Sequence, residues 1–70
     1  MIMNTNHVHK ASILIVDDDP VNLDILFGYL DQAGFNVFVA EDGESAIEQA
    51  LYTKPNLILL DVHYLFIFTN

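Results

Sequence analysis

Carboxylates directly follow two apolar segments of the chain. The run Ile-Leu-Ile-Val at 13–16 leads into Asp17 and Asp18, and the run Leu-Ile-Leu-Leu at 57–60 leads into Asp61. If both segments are adjacent parallel strands, the three carboxylates meet at one edge of the sheet. Carboxylates held that close repel one another unless a cation lies between them. The pattern therefore predicts a site for a hard divalent cation that takes oxygen ligands.

Length and charge limit the classes of function. Seventy residues make one domain at most, and the absence of cysteine excludes disulfides and thiolate metal sites. The formal net charge is −8, and Lys10 and Lys54 are the only basic residues. Phosphate backbones are bound by clustered lysine and arginine, so we expect no direct nucleic-acid binding. An anionic membrane surface would also repel the chain.

The two ends of the chain give no sign of a targeting or membrane segment. Residues 1–11 are mostly polar and lack the apolar centre of a signal peptide, so we expect a flexible tail. The apolar run at 57–68 is too short to span a bilayer. These features predict a cytoplasmic protein.

The alternation of apolar and polar residues predicts the element order β-α-β-α-β. Apolar runs predict strands at 12–16, 35–40 and 57–62. Asp19 as N-cap, followed by Pro20, predicts the start of a first helix, which Gly34 ends. A second helix is predicted over 44–52, and Pro55 prevents its continuation.

Both predicted helices carry apolar stripes that we expect to face the sheet. The first stripe consists of Val21, Ile25, Leu26, Tyr29, Leu30 and Ala33. The second stripe consists of Ala46, Ile47, Ala50 and Leu51.

Right-handed crossovers allow two arrangements of the three parallel strands. The order 1-2-3 has both helices on one face, and the order 2-1-3 has one helix on each face. Only the order 2-1-3 brings Asp17 and Asp18 beside Asp61, and it makes the gap between them a topological switch point, where ligands bind. The predicted fold is therefore α/β, with three parallel strands in the order 2-1-3.

Three stretches resemble the receiver domain of two-component response regulators. They are ILIVDDDPVN at 13–22, AEDGESA at 40–46 and KPNLILLD at 54–61. They occur in the family's order and spacing, and together they cover roughly residues 12–62. The resemblance implies a flavodoxin-like fold, of which 12–62 would form the N-terminal half.

The resemblance also implies a role for each acidic residue. Asp61 would accept a phosphoryl group from a sensor histidine kinase or a phosphotransfer protein. Asp18 would bind Mg²⁺ directly, Asp17 mainly through water, and His63 through its backbone carbonyl. The implied protein is a phosphoacceptor module of a phosphorelay and not an enzyme. General chemistry agrees, because Mg²⁺ prefers oxygen ligands and a carboxylate can form an aspartyl phosphate.

The sequence departs from the family after its third predicted strand. A receiver has five strands in roughly 120 residues, close to the usual domain size. Residues 63–70 read HYLFIFTN, without the proline and glycine usual there, so we expect a divergent apolar tail. The hydroxyl and lysine of the later strands are missing. Lys10 and Lys54 precede strands and lie at the opposite sheet edge, too far away to replace that lysine.

We therefore expect a truncated and impaired receiver, whose open third-strand edge invites self-association. One alternative is an inert receiver fragment that neither folds nor signals. Another is a fragment of a haloacid-dehalogenase-like phosphatase, because Asp17-x-Asp19-x-Val21 resembles the nucleophile motif of that class. Assaying phosphatase activity on small esters, and melting the chain by circular dichroism, would separate these possibilities.

Overall fold

Strands and helices alternate along the first five elements of the chain. A computed structural model describes residues 10–60 and the strand at 65–68. The elements are β1 (Ser12–Val16), α1 (Pro20–Gln32), β2 (Asn36–Ala40), α2 (Gly43–Thr53), β3 (Leu57–Leu60) and β4 (Leu65–Phe68). The predicted order β-α-β-α-β is confirmed, with ends that differ by one residue or so within the described parts of the chain.

The sheet has the strand order β2-β1-β3-β4, and its first three strands are parallel. This confirms the predicted order 2-1-3, with β1 between the other two parallel strands. Val16 lies opposite Ala40 on one side and Leu60 on the other. All three parallel strands therefore end at the same edge of the sheet.

The side chains of β1 alternate between the two faces of the sheet. Ile13 and Ile15 form a core with Leu23 of α1. Leu14 points to the opposite face, where it lines a pocket together with Ala46 of α2. One helix therefore covers each face, as predicted.

Short polar residues fix the starts of both helices. The Asp19 carboxylate accepts a hydrogen bond from the backbone N–H of Val21 at 2.9 Å. Asp42 does the same for α2, accepting from the N–H of Ser45 at 2.8 Å. After α1, Gly34 has a φ of 99°, a left-handed conformation that costs glycine little. The predicted cap at Asp19 and the predicted stop at Gly34 are confirmed.

Of the six residues in the predicted inward stripe of α1, two face the sheet. Leu26 and Leu30 pack against the core, and the helix residue buried most deeply there is Leu23, which the stripe did not include. Four predicted members are exposed instead: Val21, Ile25, Tyr29 and Ala33. Because α1 is apolar on more than one side, periodicity alone did not show which side the sheet covers.

The predicted inward stripe of α2 is also only partly correct. Ala46 and Ala50 are half-buried and line the pocket against β1 and β3, as predicted. Ile47 and Leu51 were also expected to face inward, but both are exposed. Two alanines leave little side chain to cover the sheet, so α2 contributes less apolar burial than its sequence suggested. Within residues 10–60, neither helix is long and apolar enough to cross a membrane.

A fourth strand lies on the outer side of β3. β4 pairs with β3 in the antiparallel direction, with Leu57 opposite Phe68 and Leu60 opposite Leu65. The expectation that the edge of β3 is open is therefore wrong. An apolar run that follows a four-residue connection can fold back as a hairpin and satisfy the backbone groups of that edge. Residues 1–9 of the predicted N-terminal tail, and 63, 64, 69 and 70 of the predicted C-terminal tail, lie outside the described residues.

Candidate functional site

The candidate site lies where β1 and β3 end side by side. Val16 and Leu60 are partners in the parallel ladder. In the sequence, Asp17 follows Val16 and Asp61 follows Leu60. The chain leaves β1 for a helix on one face, whereas the helix that leads into β3 covers the other face. The gap between these strands is therefore a topological switch point, the usual place for a ligand in such sheets.

Asp17 is buried at this edge, with 5% of its surface exposed. Its backbone N–H donates a hydrogen bond to the carbonyl of Ala40 at 3.1 Å, which extends the contact between β1 and β2 by one residue. Its carboxylate accepts from the backbone N–H of Asp19 through Oδ1 at 3.0 Å. It also accepts from Nδ2 of Asn22 through Oδ2 at 3.2 Å. These donors offset the cost of burying a carboxylate and fix its orientation.

Asp18 has the opposite environment from its neighbour. Its side chain is exposed, whereas that of Asp17 is enclosed by the loop and the first turn of α1. Two consecutive carboxylates at the end of β1 therefore differ in access to solvent. One is held by protein donors, and the other is accessible to a hydrated ion.

Two of the four predicted cation ligands, Asp17 and Asp18, belong to the described part of the chain. The other two, Asp61 and the carbonyl of His63, lie outside the described residues. Among the residues that are described, no three His, Cys, Asp or Glu side chains converge as metal ligands. The two described carboxylates, Asp17 and Asp18, nevertheless offer oxygen donors at the end of β1, a donor type that fits Mg²⁺ rather than a softer metal.

Sequence reasoning missed the part played by Asn22. It is the third residue of α1, after the N-cap Asp19 and Pro20. Polar side chains at this third position often reach back to the residues before the helix, as in a capping box. This signal was present in the sequence, but the partner of Asn22 depends on how the loop folds.

The fold and the site together define an α/β domain with a mainly parallel sheet and with carboxylates at its switch point. The sequence matches the response regulator receiver domain family over residues 13–64, which is most of the chain. The chain therefore belongs to the response regulator receiver family. No solved structure gives a significant match.

Several curated relatives are similar over most of the chain. The alkaline phosphatase synthesis transcriptional regulatory protein PhoP of Bacillus subtilis is 44% identical over 53 residues, which are 76% of this chain and 22% of that protein. The transcriptional regulatory protein CpxR of Klebsiella pneumoniae is 50% identical over 50 residues, 71% of this chain and 21% of that protein. Protein PilH of Pseudomonas aeruginosa is 38% identical over 52 residues, 74% of this chain and 43% of that protein. The chain thus spans less than half the length of these relatives.

Proposed function

We propose that this chain is a phosphoacceptor module of a two-component phosphorelay, in which Asp61 accepts a phosphoryl group with the help of Mg²⁺. The observation that carries the proposal is the pairing of Val16 with Leu60. Asp17 and Asp61 are the next residues after these two paired positions. Membership in the receiver family supports the same role.

The proposed donor is a phosphohistidine on a sensor histidine kinase or a phosphotransfer protein. A carboxylate oxygen of Asp61 attacks the phosphorus, the P–N bond breaks as the new P–O bond forms, and the released imidazole takes a proton from solvent. The products are an aspartyl phosphate on this chain and an unmodified histidine on the donor. The chain is the acceptor in this transfer rather than an enzyme that turns over a separate substrate. A cytoplasmic location suits this role, because such kinases depend on ATP.

The environments of the two neighbouring carboxylates suggest how they would share a cation. The exposed Asp18 would contact the ion directly. The buried Asp17, whose two oxygens already accept protein hydrogen bonds, would contact it through water. The His63 carbonyl and Asp61 would complete the protein ligands. When bound, Mg²⁺ supplies charge neutralisation at the phosphoryl oxygens.

Phosphorylation by a small acyl phosphate tests the proposal directly. The chain is incubated with acetyl phosphate and Mg²⁺, and the modified residue is mapped by mass spectrometry. We expect one phosphoryl group, on Asp61, and none in Asp61→Asn. Asp24→Asn, which changes an exposed carboxylate on α1, is the matched control and should be modified like the parent.

Other outcomes of the experiment contradict the proposal in different ways. A phosphoryl group on Asp17, Asp18 or Asp42 would refute the assignment of the acceptor. No modification under any condition would indicate an inert receiver segment. Steady hydrolysis of a small phosphate ester without a lasting adduct would favour a haloacid-dehalogenase-like phosphatase.

A further inference from the structure

We infer that Asn22 is a positioning residue for the cation site, acting by holding the carboxylate of Asp17 in one orientation. The inference rests on the proposed function, because it concerns the Mg²⁺ that this function requires. The inference assigns a role at the cation site to a neutral side chain from the first turn of α1, in addition to the acidic residues.

The geometry of the contact supports this role. Nδ2 of Asn22 donates to Oδ2 of Asp17 at 3.2 Å, while the backbone N–H of Asp19 donates to Oδ1 at 3.0 Å. Each carboxylate oxygen thus accepts a hydrogen bond from the protein. An ionised carboxylate has about four acceptor positions, so a carboxylate can accept from two protein donors and from water at the same time. The two donors together fix the plane of the carboxylate.

Of these two donors to Asp17, the one from Asn22 belongs to a side chain. The contact from Asp19 comes from the backbone, and any residue other than proline could supply it. Asn22 instead reaches the carboxylate from α1, whose rotation is fixed because the adjacent Leu23 is buried against β1. The backbone of Asp17 is itself tied to Ala40 of β2. Asn22 therefore links a helix anchored in the core to a carboxylate anchored in the sheet.

Removal of this donor should weaken cation binding more than it weakens the fold. Partners that orient metal-binding groups typically contribute 10- to 100-fold to metal affinity, so we expect Asn22→Ala to lose roughly ten-fold in Mg²⁺ affinity. Alanine is a good helix former, so the substitution should leave α1 intact. Asn22→Gln keeps an amide that can reach back from this position and should restore most of the affinity.

The test is calorimetric titration of Mg²⁺ into the full 70-residue chain at constant ionic strength. The parent is compared with Asn22→Ala, with Asn22→Gln and with the matched control Asn36→Ala, which changes an exposed asparagine of β2. Acetyl phosphate kinetics give a second readout. A positioning role raises the Mg²⁺ concentration needed for half-maximal rate in Asn22→Ala but leaves the rate at saturating Mg²⁺ close to that of the parent.

A further test uses NMR spectroscopy of the parent protein and needs no variant. The side-chain amide resonances of Asn22 should shift when Mg²⁺ is added, whereas those of Asn36 should not. Equal Mg²⁺ affinity in Asn22→Ala and the parent, or an Asn22 amide that does not respond, would overturn the inference and leave the proposed function standing. A parent that neither binds Mg²⁺ nor accepts a phosphoryl group would overturn both.

Discussion

Val16 and Leu60 lie opposite each other at the ends of β1 and β3, and an aspartate follows each of them. The two residues are distant in sequence and become neighbours only because the strands run in parallel. Ala40 ends β2 on the other side of Val16, and its carbonyl accepts a hydrogen bond from the backbone of Asp17. The ends of three strands thus meet around the buried carboxylate of Asp17.

Mg²⁺ should stabilise the folded chain. A ligand that binds only the folded state, at ten times its dissociation constant, adds about 1.4 kcal/mol to the free energy of unfolding. We expect this gain in the parent and its loss in Asp18→Asn and Asp61→Asn. Urea unfolding followed by circular dichroism, with and without Mg²⁺ at matched ionic strength, measures the effect.

Asp24→Asn is the control for that experiment, because it removes the same charge from an exposed position on α1. It should keep the full gain in stability with Mg²⁺. If Asp18→Asn keeps the gain as well, Mg²⁺ binds elsewhere or acts only as a salt.

The inward side of α1 can be tested by comparing Leu23 with Val21. Leu23→Ala should lower the free energy of unfolding by about 2–5 kcal/mol, because it empties a buried position in the core. Val21→Ala should change it by about 0.5 kcal/mol or less, because the Val21 side chain is exposed. Chemical unfolding of both variants gives the comparison. Similar losses in the two would mean that the side of α1 facing the sheet is wrongly assigned.

The N-cap of α2 makes a separate contribution to stability. Asp42→Ala removes the acceptor for the N–H of Ser45 and should cost about 1 kcal/mol. Asp42→Asn keeps a capping oxygen and should stay close to the parent. Thermal melting of the three proteins would reveal the difference, and an alanine variant as stable as the asparagine variant would argue against the cap.

The pairing of β4 with β3 predicts an effect of proline at Ile67, which lies opposite Ile58. Proline lacks a backbone N–H, and its ring fixes φ at about −65°, whereas an antiparallel strand needs a φ of about −140°. We expect Ile67→Pro to lower the free energy of unfolding by about 1 kcal/mol or more, because the backbone of a paired strand does not suit the fixed φ of proline. It should also promote association, because the apolar edge of β3 becomes open.

Ile67→Val, which keeps a residue suited to strands, is the control for that variant. Sedimentation velocity and urea unfolding provide the two measurements. A proline variant that remains monomeric and as stable as the valine variant would show that β4 does not protect β3 in solution.

Local sequence signals predicted the first five elements and the ends of both helices. Asp19 and Gly34 limit α1 because a capping side chain and a left-handed glycine act on a few neighbouring backbone groups. The parallel order 2-1-3 also followed from the sequence, since crossover handedness leaves few topologies and only one joins the aspartates. The same strand order predicted that Asp17 and Asp18 lie at the edge of the sheet where the parallel strands end.

The sequence by itself determined the alternation of strands and helices, the helix caps and the carboxylates at the strand ends. Tertiary structure decided the exposure of Val21 and Tyr29, the pairing of β4 with β3 and the contact between Asn22 and Asp17. Caps and turns depend on residues a few positions apart, so their signals are readable locally. Burial, edge pairing and side-chain partners depend on which surfaces meet in the folded chain, and a pattern along the sequence does not contain that information.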